Sequence, residues 1–188
     1  MAVDFRAAEA EIVSQDFDVA QDFKANELGT VAKFRDVGST DYGTALFKYV
    51  QYEQGAAAVD GVANEVCYYY QADGFSTHQV SSDASDSIFA ATSILGAGVM
   101  HSSPSDSQYL WIQLTGPATL AQVPVVGGGS AIAPADGAAL TSTGTSGDDG
   151  NLMTVNIASI ATATLGLAYV CAYIDDQSDG QIICDFLH

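Results

Sequence analysis

The chain has 188 residues, with 23 Asp and Glu against five Lys and Arg, for a formal net charge of −18. That balance excludes a nucleic-acid partner, because such proteins gain affinity by neutralising phosphates with Lys and Arg, and a single-sign acidic surface repels them. The length allows one domain with a real core, while an odd set of cysteines, Cys67, Cys171 and Cys184, with no Cys-x-x-Cys, argues against a disulfide scaffold and a zinc ribbon.

All five cations, Arg6, Lys24, Lys33, Arg35 and Lys48, lie in the first 48 residues beside nine acids; the rest of the chain holds fourteen acids and no Lys or Arg. The start, Met-Ala-Val-Asp-Phe-Arg-Ala-Ala-Glu, lacks a basic stretch followed by an apolar one, so no signal peptide is read and cytoplasmic folding is expected. Residues 1–27 form a separate N-terminal segment. A helix from about Arg6 to Lys24 would group Ile12, Val13, Phe17 and Phe23, but Val19 and Asp16/Asp18 fit that stripe poorly, and an extended arm fits equally well.

From Leu28 the pattern is that of strands, which predicts an all-β, mainly antiparallel domain over residues 28–188, a small barrel or sandwich. Leu28 to Arg35 alternates, and Asp36-Val37-Gly38-Ser39 turns it. Thr44–Glu53 and Glu65–Gln71 are rich in aromatic and β-branched residues. Ser81–Ser87 reads as an exposed polar loop, and Leu95–Met100 as a further strand. The best strand is Tyr109–Thr115, with Leu110, Ile112 and Leu114 on a core face. Its other face, Tyr109, Trp111, Gln113 and Thr115, is expected to be half covered, so Tyr109 and Trp111 are candidates for a subunit interface. Gly116-Pro117 is read as a turn, followed by a Gly/Ala-rich connector from Val126 to Gly150. The stretch Asn151–Ile174 is uncharged for 24 residues, but its Asn, Ser and Thr content and flanking Asp favour two buried strands over a membrane span. Leu167–Ile174 and Gln181–Leu187 form a terminal hairpin; symmetrical pairing sets Ile174 opposite Gln181 and Cys171 opposite Cys184, with Tyr173 on the core face. The cysteines are expected to be buried, reduced thiols.

No constellation nominates a nucleophile, a base or a cofactor. A phosphate-binding Gly-Lys-Ser/Thr, a Gly-x-Ser-x-Gly elbow and His-Glu-x-x-His are absent. His78, His101 and His188 are isolated from one another and from metal-ligand spacings. Asp175, Gln177, Asp179 and Gly180 imitate the start of a calcium loop, but the twelfth position is Phe186, which supplies no carboxylate. No catalytic residue, metal site or cofactor is therefore expected, and the chain is read as a non-enzyme.

Leu28-Gly29-Thr30, the aromatic strand Leu46–Tyr52, Ala97-Gly98-Val99, Gln108–Ala118 running into Gly-Pro-Ala, the Gly/Ala-rich connector, Leu165–Val170 and the terminal hairpin follow one another in an order that resembles tailed-bacteriophage head decoration, or capsid cement, proteins. The resemblance spans roughly residues 28–187; the absence of Lys and Arg after Lys48 departs from it, and Ser76–Ser93 has no counterpart. It implies a small β-rich protein, commonly a homotrimer, that binds the major capsid protein on the outside of an expanded shell and clamps it against internal DNA pressure. Arg6, Lys24, Lys33, Arg35 and Lys48 then become candidates for capsid contact. The alternative is another virion component, such as a tail or host-attachment protein; that would predict repeats or a coiled-coil stalk, neither of which is present.

Overall fold

Short runs that alternate apolar and polar residues can bury one face only by pairing side by side, and here they close on themselves. The computed structural model describes residues 18–35, 44–70, 74–86, 96–126, 133–142, 149–155 and 170–186. Its strands are β1 (Val31–Arg35), β2 (Thr44–Tyr52), β3 (Val66–Tyr69), β4 (Gln79–Ser81), β5 (Gly96–Met100), β6 (Tyr109–Thr119), β7 (Ala139–Ser142), β8 (Leu152–Thr154), β9 (Ala172–Asp176) and β10 (Gln181–Asp185). A four-residue helix, α1 (Gly74–Thr77), precedes β4, and a 3-10 turn at Ala84–Asp86 follows it.

The fold is all-β. Strands β2, β4, β3, β5 and β6 pair in that order, and β6 returns to β2, closing a five-strand barrel. Four of the five pairings are antiparallel and β2–β4 is parallel. Outside the barrel, β1 flanks β2, and β10, β9, β7 and β8 extend the sheet from β6. The register sets Lys48 opposite Ile112 and Ile112 opposite Met100, while Tyr52 faces Val80 and Val80 faces Tyr69. Because side chains alternate along a strand, Lys48, Val50, Tyr52, Tyr69, Val80, Met100, Leu110 and Ile112 share the inward face. All of them are buried. The main core continues from there under the extension, through Leu140, Leu152, Ile174, Ile182 and Phe186.

A second, smaller core lies on the outer face of β2 and β6, where Ala32, Ala45, Phe47, Tyr49 and Trp111 cluster. Residues 18–30 run across it. Gln21 exchanges two backbone hydrogen bonds of 2.9 Å with Tyr109, the Ala25 amide donates to Tyr49 Oη at 3.1 Å, and Ala25 and Leu28 pack on the cluster. No helix occurs in Asp18–Lys24; residues 1–17, the rest of the segment read as arm or helix, lie outside the described residues, as does the turn read at Asp36–Ser39.

Four local expectations are corrected. Gly116-Pro117 does not end the strand: Gly116 adopts φ +92°, a conformation costly for any residue with a Cβ, and β6 bends there and continues to Thr119, pairing β2 through Thr115 and β10 from Thr115 onward. Pro117 donates nothing to the ladder and is tolerated opposite Ile183 at the bend. Ser81–Asp83 is buried rather than an exposed loop. Its polar groups are largely bonded locally: Ser82 N donates to Tyr52 Oη at 3.2 Å, Asp83 N to Ser81 Oγ at 3.1 Å, and Ser85 N to Asp83 Oδ1 at 2.7 Å. The connector after Val126 contains β7, which pairs β8 and β9.

In the terminal hairpin, Gln181 pairs Asp176 and Ile182 pairs Ile174, so Asp175 is an extra residue and Cys184 faces Ala172 instead of Cys171. This shift turns Ile174 inward at 3% exposure and leaves Tyr173 outside at 42%, the reverse of the expected face for Tyr173. Leu152–Thr154 and Ala172–Asp176 are strands at the two ends of the uncharged stretch; residues 156–169 lie outside the described set.

Candidate functional site

The residues singled out in the sequence do not converge on one place. Trp111 and Tyr109 sit on the outer face of β6, but the indole is only 2% exposed, tilted against Tyr49 at 5.1 Å between ring centroids. The chain therefore covers its own Trp. Tyr109 is half-buried and stacks on Tyr49 at 6.2 Å, so of the pair it is the one that keeps surface for a subunit contact. The half-covered face expected for this strand is closed by residues 18–30 of the same molecule.

The cations separate in the same way. Arg6 lies outside the described residues, and Arg35 is placed only as the last residue of β1. Lys24 pairs with Glu27 at 2.9 Å in an exposed i,i+3 contact, a type that contributes little to stability. Lys33 is exposed on β1. Lys48 is 4% exposed and points into the barrel, which removes it from any outward-facing set. Of the described cations, Lys24 and Lys33 are therefore the two at the outer surface.

Around Lys48 the chain builds a compact polar-aromatic group. Its Nζ donates to Tyr69 Oη at 3.0 Å and lies 5.1 Å from the ring centroids of both Tyr69 and Phe75. Phe75, carried by α1, meets Tyr69 edge-on at 4.9 Å and is 41% exposed. Cation–π contacts partly replace lost hydration, but burial still holds the Lys48 ammonium below the usual lysine range. His78, between α1 and β4, has φ +59°, and its ring lies against Gly29. Burial and then the Lys48 charge push its pKa down. The signal for this group was in the sequence: Lys48 has the same parity as Leu46, Val50 and Tyr52, so a β2 with that face inward had to bury it.

The remaining polar groups are structural. His101 is half-buried, tilted on Phe47 at 5.4 Å and hydrogen-bonded to Gln113 at 2.8 Å; His188 lies outside the described residues. Cys67, Cys171 and Cys184 are free and buried, and burial pushes all three thiols up, Cys171 to about 12. Such thiols are poor nucleophiles. In the hairpin turn, Asp176 Oδ1 accepts from Ser178 N at 2.8 Å and from Ser178 Oγ at 2.6 Å, and those bonds lower its pKa. Asp136 Oδ1 accepts from Gln177 N at 2.9 Å. The calcium-like spacing is thus used to hold a turn. Among the described residues, no group of three His, Cys, Asp or Glu side chains is placed to hold a metal ion.

Comparison with protein-family models, with curated proteins and with solved structures returned no match.

Proposed function

We propose that this chain is a virion structural protein that binds the outside of a phage capsid and stabilises the shell. The observation that supports it best is the barrel interior: Lys48, Val50, Tyr52, Tyr69, Val80, Met100, Leu110 and Ile112 line it with the chain's own side chains, so contact with a capsid lattice falls to the outer surface. That surface belongs to a molecule of net charge −18, suited to a crowded particle exterior and unsuited to packaged DNA. The order of sequence elements resembles that of capsid cement proteins and supports the major capsid protein as the partner, engaged by a homotrimer whose contacts are individually weak and collectively strong.

The test is to prepare particles with and without the protein and follow their rupture on heating and on osmotic shock. A clamp binds the closed lattice and stabilises it by mass action without being needed to form it. Particles lacking it should assemble normally and break at lower temperature. Equal robustness would defeat the cement reading, and loss of host attachment alone would assign the chain to the tail or fibre.

A further inference from the structure

Lys48 is the one charged side chain among the inward barrel positions described above, and among the described residues it has no counter-ion. Lys24–Glu27 is the ion pair found among the described residues. An ammonium has three N–H donors, and one of them goes to Tyr69 Oη. A cation that is 4% exposed, in a chain with 23 carboxylates, is therefore left to the faces of Tyr69 and Phe75. Leaving a buried charge without a paired partner is costly, and a chain this acidic could have supplied one from any neighbouring strand. At the same end of the barrel, His78 Nδ1 is buried with no hydrogen-bond partner. Its ring is held in place: a Cβ at Gly29 would lie 2.3 Å from Nε2. Lys48 Nζ, with N–H donors left over, thus lies against Phe75, whose ring is 41% exposed, and the unpartnered His78 Nδ1 belongs to a ring close enough to feel the Lys48 charge.

We propose that Lys48 anchors a binding site for a carboxylate group, reached past Phe75, with His78 Nδ1 as a second donor. One ammonium balances one carboxylate; a dianionic phosphate would leave excess negative charge inside an already acidic molecule. The rings of Tyr69 and Phe75 offer apolar flanks to the methyl or methylene carbon that adjoins a carboxylate. The overall negative field repels anions at long range, but at physiological salt it is screened over about 8 Å, so the local ammonium governs the last step of approach. The carboxylate comes either from a small free acid or from an Asp or Glu side chain of a neighbouring chain. This inference does not depend on the capsid reading.

The test uses the full chain labelled with 13C at lysine Cε, in which the three lysines Lys24, Lys33 and Lys48 give three resonances. Lys24→Arg and Lys33→Arg, both at exposed positions, assign the first two and leave Lys48 by elimination. Sodium acetate is titrated against sodium chloride at matched ionic strength. A saturating shift at Lys48 with acetate alone is expected, together with a rise of about one pH unit in its titration midpoint. Lys24 and Lys33 should respond equally to the two salts. Equal responses of Lys48 to acetate and chloride, or a shift that never saturates, would overturn the proposal. Given saturation, a dilution series without acetate separates the sources: a Lys48 resonance that moves with protein concentration assigns the carboxylate to a neighbouring copy, and an invariant one to a free acid.

Discussion

Gln113 and His101 are joined by a 2.8 Å hydrogen bond between the amide oxygen and Nε2, and the amide nitrogen of the same Gln113 reaches across the bend in β6. Gln113 Nε2 donates to the Thr115 carbonyl at 3.1 Å and to the Pro117 carbonyl at 2.8 Å, on either side of Gly116. Those two acceptors fix the amide orientation, so His101 Nε2 carries the hydrogen in its bond to Gln113. A side chain that is wholly buried thereby secures the point where the barrel strand becomes the extension strand. Gln113→Leu should cost about 1–3 kcal/mol, since it strands acceptors in the interior. Gln113→Glu should cost more, because a carboxylate faces the same carbonyls. Urea unfolding of the two variants checks both the size and the order.

Lys48→Met should be at least as stable as the wild type, because replacing a buried, unpaired charge by an apolar side chain of similar length removes a desolvation penalty. The pH dependence follows. The folded-state pKa of Lys48 lies below 10.5, so between that value and 10.5 the unfolded chain binds more protons than the folded one, and stability rises with pH. Above about pH 10 the buried tyrosines reverse the trend: Tyr52 is raised to about 12, so the folded state then holds more protons. In carboxylate-free buffer, unfolding free energies should climb with pH in the wild type relative to Lys48→Met as pH approaches 10.5. Parallel curves would show that Lys48 titrates normally.

Trp111→Ala should destabilise the fold by about 3–5 kcal/mol, the usual range for emptying an aromatic site in a core. Removal of residues 1–27 should act at the same place, by taking away the Gln21–Tyr109 bridge and the Ala25 contact that cover Tyr49. The expected readout is a red shift of Trp111 fluorescence and a lower Tm; an unchanged emission maximum would mean that the segment is not needed to cover the indole. Tyr109→Ser, which leaves Trp111 in place and removes only a half-buried ring stacked on Tyr49, is the better probe of a trimer contact, read by light scattering.

Gly98→Ala tests the closeness of β5 and β6. A Cβ there would stand 2.7 Å from the Gln113 carbonyl and 3.2 Å from Ile112 Cβ. Backbone cannot give way as a side-chain tip can, so a loss of about 1–3 kcal/mol is expected by thermal unfolding.

The first half of β6 was legible because period two dominates over Tyr109–Thr115, whereas β2 was legible from its aromatic and β-branched content and β5 as a short apolar run. The sequence failed where long-range partners decide. Ser81–Asp83 looks solvated, and only the arrival of Tyr52 and Asp149 supplies acceptors for Ser82 N and Ala84 N in the interior. The hairpin register slipped because Asp175 bulges, a choice that Ile174 makes by entering the core ahead of Tyr173. Gly116-Pro117 carries a strong turn signal, yet β10 pairs across it. As for the candidate site, parity exposed the outer aromatic face, but nothing local says that residues 18–30 fold back over it. The cluster of cations in one segment said nothing about direction: Lys33 faces out and Lys48 faces in, on adjacent strands.

Because β6 is a single uninterrupted strand that pairs β2 along one half and β10 along the other, the molecule has no seam between its two parts. A pull on the terminal hairpin would load the β6–β10 ladder lengthwise, where several hydrogen bonds must break together, and the strain would pass through the backbone at Gly116 directly into the closed barrel. A sheet built this way transmits tension as one body instead of peeling apart at a joint.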